Sequence, residues 1–451
     1  MIGVGWVSVV IVTLDRAASL RVTLDALRWQ QGVTFDVVVV PGPCTDDTAS
    51  LLAEYAPNIT VVACPVANVS VARNLGIAAA TGDVVAFIDD DAVPEPGWLR
   101  ALLDGFDEGA FAPSSRPPVG GVGGVVHDHT GVALQYAFAA ADRYGTVTTG
   151  TDIDELLRVG NAVPDGEVWD PAAERFPYVQ GTNCAFRRDA LAAVGGFDER
   201  FRFYLDEVDL CVRLSDAGYR VRPLSGAPVH HRYLAGTTRG ADRRTSDWSA
   251  VFASIGQFMA QHAVPLVGAL RAAAVYAGVA DHRRGVIDAD FAGGHIDAAA
   301  LAAELSTLVD GVTEGRRRLE EGPLRDGDGW TPAISRHEEP CDSRPRSFEL
   351  VASEAVRLRV AIVERTPRPF WSGGSAAAAM ARSLAAQGND VRLVAPTIEG
   401  ELRPVGQRRM AAHGALPVAG PRSPGSVDGR LRRRAGTAPA RPSAGSRDSG
   451  R

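Results

Sequence analysis

The stretch Val84-Val85-Ala86-Phe87-Ile88-Asp89-Asp90-Asp91 constrains this chain most. Its apolar part is rich in branched and aromatic side chains and reads as a strand covered on both faces of a parallel sheet. The acids follow where that strand leaves the sheet, at the carboxyl edge where open α/β sheets bind ligands. Extended backbone sends Asp89 and Asp91 to one side and Asp90 to the other. Oxygen ligands paired on one side suit a hard divalent cation, Mg²⁺ or Mn²⁺. The plainer reading is a solvated acidic turn ahead of a helix that starts near Pro96.

The preceding residues supply the rest of such a sheet. Val7–Thr13, Phe35–Val40 and Ile59–Ala63 are β-branched or apolar runs, and Val84–Ile88 is the fourth. Between them, Ser19–Gln31 carries Leu20, Leu24 and Leu27 at helical spacing. Thr45-Asp46-Asp47 offers N-cap chemistry to a helix through Leu51, Leu52 and Tyr55, and Ser70–Ala80 is a third helix. This βαβαβαβ order predicts a Rossmann-like, mostly parallel sheet flanked by helices with right-handed crossovers. No GxGxxG follows the first strand, so a dinucleotide fingerprint is missing. Thr13-Leu14-Asp15-Arg16 stands there instead.

Beyond Asp91 a short helix through Trp98, Leu99 and Leu102 leads to Gly-rich Val119–Val126, read as a strand. His127-Asp128-His129 is a weak metal pattern and reads first as a solvated loop. Residues 130–176 show no clear period. Gln180-Gly181-Thr182-Asn183 is small and polar. A helix from about Asp206 to Ala217, closed by Gly218, places Asp206, Glu207 and Asp209 in its first turn, where the helix dipole favours negative charge. Arg220–Leu224 is a strand, and Val229-His230-His231 follows it.

With 451 residues there is room for more than one domain. The expected division is a catalytic domain over 1–240, a helical extension over 241–320, a linker over 321–355, a partial βαβ unit over 356–398 and a disordered tail over 399–451. The extension packs on the sheet; a second reading gives Trp248, Phe252, Phe258 and Met259 a peripheral contact with a membrane surface. A net charge of −7 gives no case for nucleic acid. All basic side chains other than histidine are arginine, as expected from a GC-rich, bacterial genome. Cys44, Cys64, Cys184, Cys211 and Cys341 are scattered and never spaced CxxC, which fits a reducing cytosol. Val4–Val12 lacks a basic leader and reads as strand, and no apolar run reaches the length of a membrane span.

Taken in order, several pieces resemble the family 2 glycosyltransferases of GT-A fold. They are Ser8-Val9-Val10-Ile11-Val12-Thr13, Thr45-Asp46-Asp47-Thr48, Ala72-Arg73-Asn74-Leu75-Gly76, Asp89-Asp90-Asp91 with Pro94 and Trp98, Gly181-Thr182-Asn183, the segment Asp206–Arg213, and His230. Rhamnosyl- and related transferases of bacterial cell-surface polysaccharides are the nearest in pattern. The resemblance implies an inverting transfer from a nucleotide-diphosphate sugar to a carbohydrate or lipid-linked hydroxyl, on the cytoplasmic side, with Mn²⁺ or Mg²⁺. It places the metal on Asp89, Asp91 and His230, and the base on Glu207 or Asp206. Donor contacts fall to Thr13, Asp15, Asp46, Arg73 and Asp90. Gly181, Thr182 and Asn183 fall on the acceptor or donor-sugar side.

Two departures stand out. Pro41 occupies the place of an acid that usually lies near the nucleobase, and the usual Glu-Asp order is inverted as Asp206-Glu207. A nucleotidyltransferase and a non-catalytic, donor-binding scaffold are the rival functions. Residues 357–396 separately resemble the opening βαβ unit of a GT-B glycosyltransferase, with the Gly373-Gly374 loop before an alanine-rich helix.

Overall fold

The computed structural model describes residues 6–107, 116–131, 133–160, 170–236, 238–240 and 244–323, and the strand segments 359–363, 390–396 and 402–404. The first half builds one sheet. Strands β1 (Val7–Thr13), β2 (Phe35–Pro41), β3 (Thr60–Val61) and β4 (Val84–Ile88) alternate with helices α1 (Ala17–Leu27), α2 (Thr48–Tyr55) and α3 (Val69–Ala79). β1 pairs parallel with both β2 and β4, and β2 with β3, as the alternation of periods predicts. Every residue of β4 is buried. β3 is shorter than its apolar run suggests: Thr60 and Val61 stand opposite Val38 and Val39, and past them the Cys64 N–H still reaches the Pro41 carbonyl at 2.8 Å.

The sheet is completed from later in the chain. After β5 (Ala92–Pro94) and α4 (Trp98–Phe106) come β6 (Val119–Gly123), β7 (Val126–His127), β8 (Leu134–Tyr136), β9 (Phe138–Ala141), β10 (Val147–Gly150) and α5 (Ile153–Gly160). Then follow β11 (Phe176–Tyr178), β12 (Asn183–Arg187), α6 (Arg188–Ala193), α7 (Asp206–Asp216), β13 (Arg220–Pro223) and β14 (Val229–His231). The main sheet has the order β13-β6-β12-β4-β1-β2-β3. Only β12 runs against its neighbours. The expected strand Val119–Val126 divides after Gly123, since Gly124 lies hard against the Ala227 carbonyl and the chain turns into a second sheet, β5-β14-β7-β8. A small antiparallel sheet, β10-β9-β11, fills part of the stretch that showed no clear period.

The helical extension consists of α8 (Ser249–His262), α9 (Val264–Val267), α10 (Ala269–Ala292) and α11 (Ala298–Glu321). The break falls at Pro265, as expected. α8 and α11 touch backbone to backbone: a Cβ on Gly256 would sit 2.3 Å from the Gly315 carbonyl oxygen. Phe252, Phe258 and Met259 are fully covered in this packing. They are core and offer no surface to a membrane. No helix of the described residues is long and apolar enough to cross one. Farther on, β15 (Arg359–Val363) pairs parallel with β16 (Asp390–Pro396), and β17 (Leu402–Pro404) adds an antiparallel strand that the sequence pattern did not indicate. The expected linker beyond residue 323, the alanine-rich helix and the tail beyond residue 404 lie outside the described residues.

Candidate active site

The order β2-β1-β4 puts the ends of β1 and β4 side by side at the carboxyl edge of the sheet. Thr13 ends β1, and the acids begin one residue past Ile88. The backbone turns at Asp90 and Asp91, so the separation of sides is partial, and Arg16 Nη1 lies 3.1 Å from an oxygen of each. Asp90 faces β1: it accepts from the Thr13 hydroxyl at 2.7 Å and from Arg16 Nη1 at 3.1 Å. Asp89 and Asp91 face the other way, where the imidazole of His231 completes a group whose ligand atoms all lie within 4.8 Å of one another. Register explains the histidine. β14 pairs antiparallel with β5 so that His231 stands opposite Ala92, one residue from Asp91.

His230, the histidine expected on the metal, is not part of this group. Adjacent residues of a strand point to opposite faces. Val229 and His231 are buried on one face, while His230 turns outward to Glu95 Oε1 at 3.2 Å and stacks on His127 with ring centroids 4.9 Å apart. The histidine that stands with Asp89 and Asp91 is therefore the next residue, His231.

The acids differ in what neutralises them. Asp91 is almost wholly buried, which by itself raises its pKa. The His231 hydrogen bond at 3.1 Å, the Leu234 backbone N–H at 2.8 Å and Arg16 at 3.1 Å outweigh that and hold it at about 2. Asp90 is pushed up to about 6 by burial, against the pull of Arg16 and Thr13. Asp89 is the more open of the three and accepts from the Thr182 hydroxyl at 2.6 Å. His231 Nδ1 lies 2.9 Å from Gln135 Oε1. Nε2–H donates to Asp91; a shift of the ring proton to Nδ1, toward the Gln135 oxygen, would free the Nε2 lone pair for a cation. Two carboxylates and an imidazole nitrogen form a donor set that fits a divalent cation and suits Mn²⁺ better than Mg²⁺.

A cavity of about 800 Å³ opens on this group and reaches from Thr13 and Asp15 past Asp89 to Tyr204 and Glu207. That volume lies within the range of small-molecule sites. On its far side α7 brings in the second set of acids. Asp206 is buried and ion-paired to Arg73 Nη1, whose guanidinium also lies over the Phe197 ring at 5.2 Å. The helix starts from two consecutive left-handed residues, Tyr204 (φ 71) and Leu205 (φ 64). This is strained backbone of the kind that gathers at functional sites. Leu205 takes the N-cap position, so Asp206 is no cap.

Glu207 is half-buried on the cavity wall. Burial first, and the neighbouring Asp206 charge second, push its carboxyl well above the usual range, against the opposing pull of Arg73. Asp209 is fully buried between Arg213 and His262 Nε2, the latter at 2.8 Å. Burial raises its pKa, but Arg213 and His262 hold it at about 2. It ties α7 to α8.

The remaining expected residues divide between wall and frame. Gly181 lets Arg73 through, since a Cβ there would meet Arg73 Nη2 at 2.4 Å. Thr182 touches Asp89, whereas Asn183 does not reach the cavity. Its amide nitrogen donates to the Val125 and Ala227 carbonyls, and its oxygen accepts from Trp98 Nε1. Asp46 is likewise frame: one carboxylate oxygen accepts from the Ala17 N–H, the other from Thr48. Asp15 stays on the cavity wall, its carboxylate turned toward the Thr45 and Asp46 N–H groups. Thr13 and Asp90 engage each other.

A family model described as Glycosyl transferase family 2 matches residues 8–195. An uncharacterized glycosyltransferase of Mycobacterium tuberculosis is 31% identical over 216 residues, which cover 48% of this chain and 81% of that protein. The chain belongs to glycosyl transferase family 2. A pre-mycofactocin glycosyltransferase of M. tuberculosis is 31% identical over 261 residues, 57% of this chain and 47% of that protein, so the chain spans about half the length of that relative. An N-acetylglucosaminyl-diphospho-decaprenol L-rhamnosyltransferase of the same species is 25% identical over 264 residues, covering 51% of this chain and 77% of that protein. The central sheet, with its acids at the end of β4, is the GT-A arrangement of this family. The matched stretch ends before α7 and β14, and it is the fold that brings Glu207 and His231 to the same cavity.

Among the lining residues that the sequence did not single out for the site are Arg16, Gln135, Tyr204 and His231. His231 was accessible in principle, because an apolar Val229 predicts that the residue two further on shares its buried face. Arg16 follows directly on the strand end. Gln135 lies in the stretch without a period, and nothing there singles it out.

Proposed function

We propose that this family 2 chain is an inverting, divalent-cation-dependent glycosyltransferase. Its donor would be a nucleotide-diphosphate sugar and its acceptor a hydroxyl of a carbohydrate or a lipid-linked sugar, in the synthesis of cell-surface polysaccharide or glycolipid. The name of the decaprenol-linked relative supports the lipid-linked alternative. One observation carries the reading: Asp89, Asp91 and His231 converge as ligands on the same cavity that Glu207 lines with a raised pKa.

Sugar transfer breaks the anomeric C–O bond to a diphosphate while an acceptor oxygen bonds to the same carbon. A cation held by Asp89, Asp91 and His231 would neutralise the charge gathering on the departing diphosphate. Glu207 takes the acceptor's hydroxyl proton, and its raised pKa suits a base working near neutral pH. Asp206 serves this by anchoring Arg73 and by raising the proton affinity of Glu207. The Thr182 hydroxyl orients Asp89, and the Leu234 N–H orients Asp91.

Calorimetric titration with a panel of nucleotide sugars, with and without Mn²⁺, tests the reading. A preferred donor should bind tightly only with the cation, and should then be consumed when an acceptor is supplied. Binding that is indifferent to EDTA would remove the metal role, and binding without transfer or hydrolysis would leave a scaffold.

A further inference from the structure

Four guanidinium groups line the cavity, those of Arg16, Arg73, Arg202 and Arg239; Arg202 is exposed, and of the four only Arg239 has a buried donor atom without a hydrogen-bond partner among the described residues. Arg16 is engaged with Asp90, Asp91 and the Leu234 and Ala235 carbonyls. Arg73 is engaged with Asp206. For Arg239, no carboxylate among the described residues lies within ion-pair distance, and its Nε is buried without a hydrogen-bond partner. The group is nonetheless held in place. Its guanidinium carbon lies 3.5 Å from the centroid of the Tyr233 ring, and its backbone carbonyl accepts from the Gly236 N–H at 3.0 Å. A bridge to Thr245 fixes the strand-like backbone around it. Burial lowers its pKa, while the charges of Asp91 and Asp89 act the other way, which places it within electrostatic reach of the acids at the end of β4.

A partly buried cation with an unmet donor costs free energy until an anion reaches it. The planar guanidinium fits a pair of phosphate oxygens, and stacking on an aromatic ring fixes its plane in advance. We infer that Arg239 binds the diphosphate of the sugar donor, alongside the Asp89–Asp91–His231 group, with Tyr233 setting the plane of the guanidinium. This rests on the donor reading above. As the anomeric C–O bond breaks, its electron pair passes to the diphosphate oxygen and the acceptor proton passes to Glu207. Arg239 donates to the diphosphate oxygens as their charge grows. It lies outside the stretch that the family model matches.

The test compares the full chain with Arg239→Gln and Arg239→Lys by calorimetry in the presence of Mn²⁺. The probes are UDP, GDP and TDP, the matching nucleoside monophosphates, and farnesyl diphosphate as a lipid diphosphate. Arg239→Gln should weaken the preferred nucleoside diphosphate by about 10- to 100-fold, the scale of a lost charged hydrogen bond. The matching monophosphate should change far less, and its retained binding reports an intact fold. Arg239→Lys should recover part of the loss, which separates charge from misfolding. Unchanged diphosphate affinity, or equal losses for mono- and diphosphates, would overturn the inference and leave the donor reading standing. A loss confined to farnesyl diphosphate would overturn the donor assignment in favour of a lipid diphosphate. If the unaltered chain binds no nucleotide in the panel, the donor reading falls and takes the role of Arg239 with it.

Discussion

The acids that end β4 and the acids that begin α7 face one cavity, but their charges are settled in different ways. Asp91 is buried among fixed donors, from His231, Arg16 and the Leu234 N–H, and stays ionised at about 2. Glu207 has no cation to itself. The nearest, Arg73, is committed to Asp206, and the Asp206 charge raises Glu207 further. Burial alone therefore does not decide what a carboxyl does here; the partner count does. Asp209 repeats the lesson within α7, since it is more buried than Glu207 yet remains ionised because Arg213 and His262 flank it. A site that must hold a cation and also accept a proton needs these two opposite environments.

Breaking the first cluster should have the largest effect. Asp91→Asn removes the charge but keeps the shape, and transfer is expected to fall by about 10³-fold or more, the scale of lost charge stabilisation at a reacting centre. EDTA should do the same to the unaltered chain, and added Mn²⁺ should restore only that chain. Initial rates with a labelled donor, beside circular dichroism to show an intact fold, decide the point.

The second cluster should break in two distinct ways. Glu207→Gln is expected to lower kcat by about 10²- to 10⁴-fold with donor affinity unchanged. Asp206→Asn leaves the buried Arg73 with only the longer contact to Asp89, at 3.9 Å, so its main effect is on stability, up to about 3–5 kcal/mol by denaturant unfolding. Equal losses of stability in both variants would erase the distinction between base and anchor.

The same pair sets the pH behaviour. A base whose pKa is raised must first lose its proton, so kcat should rise with pH through that raised value. Its acid limb then lies above the ordinary glutamate value of about 4.3. Stability runs the other way, because the folded state binds this proton more tightly than the unfolded chain does. The contribution is complete below the ordinary value and is lost as pH rises through the raised one. In Asp206→Asn the neighbouring negative charge is gone and Arg73 loses its nearest carboxylate. Both changes should move the acid limb of kcat downward.

A smaller effect separates the adjacent histidines. His231→Ala should weaken Mn²⁺ binding by about 10- to 100-fold, on the scale seen when the groups that support a metal are removed. His230→Ala should leave it unchanged, because that ring faces Glu95 and His127. Titration of Mn²⁺ against both variants would reverse the placement if His230 proved the more costly loss.

What the sequence disclosed follows from what leaves a periodic trace. β1, β2 and β4 were legible because strands covered on both faces are continuous apolar runs, and their parallel pairing follows from the helices between them. The acids at the end of β4 were legible because the sheet's carboxyl edge is a fixed place for ligands. β8 and β10 were not, since short strands with partly exposed faces carry little apolar signal, and neither was β9, a largely buried strand whose alanines favour no strand. Gln135 was lost with them. A motif also reports which residues recur, without saying whether they face a ligand or hold the frame. Asn183 and Asp46 both proved to be frame, for the same reason: every hydrogen-bonding atom of the one, and both carboxylate oxygens of the other, are taken up by neighbours in the fold.

Asp46 gives the mildest and cleanest test of that distinction. One carboxylate oxygen receives the N–H of Ala17, the first residue of α1, and the other that of Thr48, the first residue of α2. The side chain thus joins two helix starts beside β1, and losing it should act as the loss of a cap does. Asp46→Ala is expected to cost about 1 kcal/mol in denaturant unfolding. Nucleoside diphosphate affinity at 25 °C should be unaltered, because the carboxylate does not line the cavity. Asp15→Ala is the contrast, since its side chain does stand on that wall. It should weaken nucleotide binding more than Asp46→Ala, and the reverse order would return Asp46 to the donor site.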